Sequence, residues 1–231
     1  YLHAIFFERH KKLLRRPSQI KRWLAEGIFA VAALAVIVSR FVLSGAQFQS
    51  MSDSAWKAVN LLLPILVFVM YSFSSGEKLT QAMFFHCDAS LLKYGYYRTP
   101  EAIISSFRIR LKYMLQTEGA FILAFCVGVF ANLMLLGRFR DMLQIVAILG
   151  CILILSVFFS VLFLCMYYIF QPFTEAGNTT SVGYKACNVG VYVAAYSCLQ
   201  LHTPPTYFAV LLLSVTVVTM VVGILLVWKL A

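Results

Sequence analysis

Six long runs of apolar residues constrain the fold of this chain more than any other feature. They cover residues 24–43, 55–73, 119–136, 142–170, 184–201 and 207–228. A helix needs about 20 mostly apolar residues to cross the hydrocarbon core of a bilayer. Only 12% of the 231 residues are charged, about half the fraction of a soluble domain. The sequence therefore predicts an all-α integral membrane protein, a single transmembrane domain over residues 1–231 with six transmembrane helices.

The basic residues are distributed unequally between the two sides of this predicted bundle. Four of the 19 Lys and Arg residues, namely Arg40, Lys57, Arg138 and Arg140, fall on one side, and the other fifteen fall on the opposite side. Short cytoplasmic loops are enriched in Lys and Arg. We therefore expect a multi-pass protein of the cell membrane with both termini in the cytoplasm. This bias also explains the net charge of +10, so we predict no nucleic-acid partner.

Two segments outside the apolar runs have amphipathic patterns. Residues 1–23 mix large apolar side chains with seven basic residues, which is typical of a helix on anionic lipid, so we predict an elbow helix in contact with the membrane. Crossings one and two follow within 24–75. Residues 76–117 form a long cytoplasmic loop, in which Thr99 and Pro100 are typical of a helix start. Crossings three to six occupy 118–231.

Two of the apolar runs carry a pattern that repeats every fourth residue, which places its members on one helix face. In the fifth run these residues are polar or aromatic: Tyr184, Asn188, Tyr192, Tyr196 and Gln200. Lipid disfavours such a face, so it either makes hydrogen bonds between helices or lines a translocation path. In the third run the repeated residues are small: Ala120, Ala124, Gly128 and Asn132. We predict that this second face packs closely against another helix.

Motifs for catalysis and for nucleotide binding are missing from the sequence. It has no GxxxxGK[ST] phosphate loop, no HExxH and no GxSxG. A helix would point the adjacent His, Cys and Asp of residues 86–88 in different directions, so we predict no metal site. The six cysteines never form a CxxC pair and are interpreted as small buried apolar residues. Glu118 is expected to cap a helix or to pair with Arg110 or Lys112. The chain is predicted not to be an enzyme and to bind no cofactor directly.

Two stretches resemble a known family. FFHCDASLLKYGYYRTPEAIISSFRIRLKY (84–113) and MYYIFQPFTEAGN (166–178) are similar to the loop after the second crossing and to the end of the fourth crossing in permease subunits of ATP-binding-cassette (ABC) exporters of Gram-positive bacteria. The resemblance implies a permease that forms the translocation path by alternating access. Its implied partners are a separate ABC ATPase subunit, which would hold ATP and Mg²⁺, and a second permease copy or homologue.

The resemblance also implies that the loop 76–117 is a coupling segment seated on the ATPase. The matching positions are Asp88, Leu91, Leu92, Tyr94, Tyr97, Arg98 and Pro100. An apolar path lined by Asn188, Tyr192, Tyr196 and Gln200 suits an amphipathic peptide or a lipid-like substrate. The alternative from another class is a membrane sensor or assembly protein that transports nothing and binds partners through its basic cytoplasmic face. Co-purification of an ATPase would separate the two.

Overall fold

The computed structural model describes residues 2–61, 63–84, 100–172, 181–200 and 204–230. All regular elements within these ranges are helical, which confirms the all-α prediction for this part of the chain. The α-helices are α1 (Leu2–Val42), α2 (Gly45–Leu61), α3 (Ile65–Phe73), α4 (Gly76–Met83), α5 (Pro100–Leu135), α6 (Met142–Phe170), α7 (Val182–Ser197) and α8 (Pro205–Leu230). Short 3₁₀ turns at Phe139–Asp141 and Cys198–Gln200 complete the described elements.

Four of the described helices are long and apolar enough to cross a membrane. The crossing segments are Ser18–Val42, Ile103–Leu135, Phe139–Phe170 and Pro205–Leu226. A fifth crossing is obtained if α2 and the α3–α4 segment are counted as one bent span. Helix α7 has only 16 residues, which is short for a bilayer. The chain is thus a multi-pass membrane protein, and the number of six crossings stays a prediction.

The predicted elbow and the first crossing form one continuous helix, α1, of 41 residues. A separate elbow that ends at residue 23 is therefore wrong. Pro17 and Gly27 flank this boundary, but both lie within the continuous helix α1. Arg22 and Glu26 also form an ion pair at 3.1 Å across this boundary, in the i,i+4 spacing that supports a helix.

The predicted second crossing, 55–73, is broken near its middle. Helix α2 begins at Gly45, ten residues before the apolar run, and its axis meets that of the following segment at a bend of 69°. Pro64 lies at the break; it has no N–H group, and its ring clashes with a preceding helical turn. A tight turn replaces the helix there, in which the N–H of Leu66 bonds to the carbonyl of Leu63 at 3.0 Å.

Helix α5 begins at Pro100, as the sequence predicts, and continues for 36 residues through the third crossing. The predicted loop helix and this crossing are thus one helix, about 54 Å long at 1.5 Å per residue. The hydrocarbon core is about 30 Å thick. One end of α5 consequently projects well beyond the membrane core.

Helix α6 is the centre of the bundle and packs against α3, α4, α5, α7 and α8. Its Cys151, Ile152, Leu155 and Leu164 side chains are fully buried. Helix α8 approaches α6 closely at Gly223, where an added methyl group would overlap the Cys165 thiol. Helix α1 lies outside this group and packs mainly on α5.

Gly128 and Asn132 of the small-residue face of α5 contact α1, which confirms the predicted packing for this part of the face, whereas Ala120 is exposed. A methyl group at Gly128 would overlap the ring of Phe29 on α1. One turn further, the Asn132 amide nitrogen donates to the carbonyl of Phe29 at 3.2 Å and to that of Gly128 at 2.9 Å. The Phe29 ring also meets Phe125 edge to face, with centroids 5.0 Å apart. The absence of a side chain at Gly128 thus lets α1 lie close enough for the Asn132 side chain to reach its backbone.

Candidate functional site: the α3–α4 junction and the tyrosine face

A cluster of polar groups joins three helices where α3 ends and α4 begins. The backbone N–H of Ser75, the residue before α4, donates to Glu118 Oε1 of α5 at 2.6 Å. The Lys21 ammonium of α1 donates to the carbonyl of Phe73 and to the hydroxyl of Ser75. Backbone groups that a helix break leaves without partners are thereby satisfied by side chains from two other helices. We call this cluster the α3–α4 junction.

The junction buries a carboxylate beside a cation. Glu118 is only 7% exposed, and burial of a carboxylate is costly unless it gains hydrogen bonds and an opposite charge. Ser75 provides the hydrogen bond, and Lys21 provides the opposite charge. The predicted pairing with Lys112 or Arg110 is replaced by these partners, because residues six or eight apart are separated by about two helical turns. Glu118 lies in the interior of α5 and caps neither of its ends; it accepts instead from the N–H of Ser75, the N-cap residue of α4.

The two helices that flank residues 85–99 both pack against α6. Leu79 and Met83 of α4 share one buried cluster with Phe107 and Met114 of α5 and with Val161, Leu164 and Cys165 of α6. Helix α4 approaches α6 closely at Gly76, because a methyl group there would lie 2.5 Å from the Phe163 ring. One face of α4, and α5 from Phe107 onward, consequently pack against the central helix.

An arginine that was assigned to a cytoplasmic loop is in fact buried in this cluster. Arg110 is 3% exposed, and its guanidinium carbon lies 5.7 Å from the ring centroid of Tyr167 and 5.4 Å from that of Tyr168. Such cation–π contacts gain strength when they are desolvated. The ring of Phe107 lies 5.7 Å from that of Tyr168. The sequence feature that indicates this burial is the pair Tyr167 and Tyr168 near the end of the fourth apolar run. A count of charges does not take these aromatic residues into account.

The face of α7 that carries Tyr184, Asn188, Tyr192 and Tyr196, which we call the tyrosine face, is partly packed and partly exposed. Tyr184 is 1% exposed, and half-buried Asn188 accepts a hydrogen bond from the Tyr71 hydroxyl of α3 at 3.3 Å. Tyr192 and Tyr196, by contrast, are 46% and 53% exposed, and their rings stack at 6.5 Å. The first half of the face therefore bonds to α3, and the second half is open.

Contacts with α3 continue to the middle of the tyrosine face. The Tyr192 ring lies 6.0 Å from Phe68 and 6.1 Å from Tyr71. Gln200 lies exposed in the 3₁₀ turn after α7. The structure thus brings together Asn188 and Tyr192 beside α3, with Tyr196 stacked on Tyr192. Their role as a translocation path stays a prediction.

Most of the predicted ATPase-docking residues, namely Asp88, Leu91, Leu92, Tyr94, Tyr97 and Arg98, lie outside the described residues. Pro100 is described as the first residue of α5. Within the described ranges, no three His, Cys, Asp or Glu side chains are grouped to hold a metal ion.

No family model, no curated protein and no solved structure matches this chain. The fold defines its class as an all-helical, multi-pass membrane protein.

Proposed function

We propose that this chain is the permease subunit of an ABC-type exporter. It forms the translocation path by alternating access, while a separate ABC ATPase subunit binds Mg²⁺ and hydrolyses ATP. The six crossings are α1, the bent α2–α3 pair, α5, α6, α7 with its following 3₁₀ turn, and α8. The protein lies in the cell membrane with both termini in the cytoplasm, and a second permease copy or homologue completes the path.

Contacts at the two ends of the bundle support this topology. At one end, Lys21 near the start of the first crossing, Ser75 after the second and Glu118 near the start of the third meet in the α3–α4 junction. Three successive crossings place these positions on the same side. At the opposite end, the Ser52 hydroxyl donates to the carbonyl of Leu136 at 2.8 Å. The basic-residue bias identifies the junction side as cytoplasmic.

The observation that carries the proposal is the shared packing of α4 and the start of α5 on α6. These helices enter and leave residues 85–99, which contain the positions that resemble an ATPase-docking segment. Because Met83 and Phe107 belong to the same buried cluster as Leu164, a load applied to that segment reaches the central helix through apolar contacts. ATP-driven closure of two ATPase subunits would move α4 and α5 as levers and tilt the crossings.

The open half of the tyrosine face suits the second component of this mechanism. Tyr192 and Tyr196 present large aromatic rings with polar hydroxyls beside exposed Val189 and Val193. Such a surface matches an amphipathic peptide or a lipid-like substrate, or the surface of a second permease across the path. A purely lipid-facing helix has no need of a repeated hydroxyl.

Co-purification of this chain with an ABC ATPase from the same cells tests the proposal. We expect Tyr97→Ala with Arg98→Ala to weaken the complex about 30-fold, as the loss of a 2 kcal/mol interface anchor does. Lys57→Ala, exposed on the opposite side, is the matched control and should assemble like the wild type. Wild-type assembly of the double variant contradicts the docking assignment. If the wild-type chain assembles with no ATPase, the sensor or assembly role replaces the exporter.

A further inference from the structure

A polar cleft of about 650 Å³ lies between the first half of α2 and the turn that joins α5 to α6. Its volume lies within the range of about 300–1,000 Å³ that is usual for small-ligand pockets. We call it the polar cleft. The polar side chains that line it are those of Gln49, Ser52, Asp53, Arg138, Arg140 and Asp141.

Side chains hold the two walls of the polar cleft together. The Ser52 hydroxyl of α2 donates to the carbonyl of Leu136 at 2.8 Å. The Arg138 guanidinium forms an ion pair with Asp53 of α2 and lies 3.8 Å from an Asp141 carboxylate oxygen of its own turn. Contacts that join both walls therefore define the shape of the cleft before any ligand binds.

The charges along the cleft balance in number but not in position. Two arginines and two aspartates line it, and both aspartates pair with Arg138. Arg140 is exposed and forms no ion pair within the described part of the chain. Negative charge is thus in excess around Arg138, and a positive charge is unpaired on Arg140. The Asp53 side chain is 55% exposed, and a carboxylate accepts hydrogen bonds at both oxygens, so a ligand can reach this excess charge.

The polar cleft lies where two membrane crossings end. One crossing ends at Leu135 and the next begins at Phe139, so the turn between them lies at the membrane surface. Phe139 itself lines the cleft, and both it and Leu143, in the first turn of α6, are exposed. An occupant at this level meets charged groups and large apolar side chains together.

We propose that the polar cleft binds the headgroup of a phospholipid that carries both a phosphate and a primary ammonium, as phosphatidylethanolamine does. The phosphate bonds to the Arg140 guanidinium, whose planar set of donors suits phosphate oxygens. The ammonium donates to the carboxylates of Asp53 and Asp141. The exposed Gln49 amide on the α2 wall donates to a further phosphate oxygen, and the acyl chains lie against Phe139.

The charge pattern discriminates against other headgroups. An anionic headgroup without an ammonium leaves the excess charge of Asp53 and Asp141 unpaired. A choline headgroup has a cation but no N–H to donate to these carboxylates. A soluble zwitterion matches the charges and lacks the contact with Phe139. The site goes beyond the exporter proposal, because it requires neither an ATPase nor transport; only its assignment to the outer leaflet rests on the proposed orientation.

Native mass spectrometry of the purified chain in detergent tests the site. The probes are phosphatidylethanolamine, phosphatidylcholine and phosphatidylglycerol with identical acyl chains, and O-phosphoethanolamine, which has no chains. We expect the ethanolamine lipid to bind about fivefold more tightly than the other two lipids, the effect of one additional hydrogen-bonded contact, and O-phosphoethanolamine to bind more weakly than all of them. An ethanolamine lipid that binds no more tightly than either of the others overturns the proposal. Binding of O-phosphoethanolamine as tight as that of the lipid rejects a lipid as the ligand.

Three substitutions locate the binding. Arg140→Gln should weaken the ethanolamine lipid about fivefold, and since Arg140 is exposed and unpaired in the described structure, its loss should not impair folding. Lys57→Gln, which removes a cation from an exposed position of α2 outside the cleft, is the matched control and should bind like the wild type. Asp141→Asn retains the ion pair of Asp53 with Arg138 and should reduce the preference for ethanolamine over choline. Wild-type binding by Arg140→Gln, or a full preference in Asp141→Asn, contradicts this placement of the headgroup.

Discussion

Glu118 on α5 accepts a hydrogen bond at 2.6 Å from the backbone N–H of Ser75, 43 residues earlier in the chain. That N–H lies at the break between α3 and α4, where no helical partner is present. The same serine receives Lys21 from α1 through its hydroxyl. A single residue thus joins α1, the α3–α4 segment and α5.

Removal of the Glu118 carboxylate should destabilise the bundle. Glu118→Ala leaves the Ser75 N–H buried without an acceptor, which costs about 1–3 kcal/mol. Glu118→Gln retains an acceptor oxygen and should lose less. Thermal unfolding in detergent measures both. Glu26→Ala is the control, because its exposed ion pair with Arg22 contributes at most about 0.5 kcal/mol. A Glu118→Ala variant as stable as the control contradicts the role of the junction.

Two glycines of α5 should respond to alanine in opposite directions. Gly128→Ala forces a methyl group against Phe29 and should lower stability by about 1–3 kcal/mol. Gly119→Ala meets nothing within 4 Å and should raise stability by about 0.5–1 kcal/mol through helix propensity. Unfolding of the two variants in the same detergent provides the comparison.

A second substitution tests the cause of the Gly128 effect. In a variant with Phe29→Leu, Gly128→Ala should lose part of its cost, because the smaller side chain can move aside. Independent, additive effects of the two changes would place the damage elsewhere.

Features determined by neighbours in sequence were predictable. Pro100 begins α5 because proline suits the first turn of a helix, and Gly128 with Asn132 packs against α1 because their spacing places them on one face. Pro64 in the second apolar run indicates that the helix breaks there, but a proline does not determine the angle between the two helical segments. The 69° bend depends on which helices surround it, and a single sequence does not specify that.

The tyrosine face should show two levels of accessibility in a background without native cysteines. Tyr196→Cys should react readily with a water-soluble maleimide, because Tyr196 is 53% exposed and the path is wet under the exporter proposal. Tyr184→Cys should stay inert, since Tyr184 is 1% exposed. Alkylation rates followed by mass spectrometry measure the difference. If Tyr196→Cys is inert with and without nucleotide and ATPase, this half of the face contacts lipid or packed protein.

The topology can be tested at two exposed lysines. Lys57→Cys on α2 should react with an impermeant reagent added outside intact cells, and Lys185→Cys on α7 should react only after the cells are opened. Both positions are exposed, so a cysteine there is accessible to the reagent. The reverse labelling pattern would show that the bundle has the opposite orientation in the membrane.

Neither the burial of Arg110 nor the partners of Glu118 could be predicted from the sequence, and the reason is the same for both. Both depend on contacts between helices that are distant in sequence, such as the Tyr167–Tyr168 pair above Arg110. Charge counts assign each basic residue to a side of the membrane. They do not distinguish a solvated lysine from an arginine enclosed by aromatic rings.

The partners of α2 also determine when this helix can be completed during synthesis. Its Ser52 and Asp53 bond to Leu136 and Arg138, more than 80 residues further along the chain. A translocon disfavours a segment with charged residues such as Asp53 and Lys57 when it is presented alone. We therefore expect stable insertion of α2 to require the end of α5, and truncation before residue 136 should leave α2 uninserted.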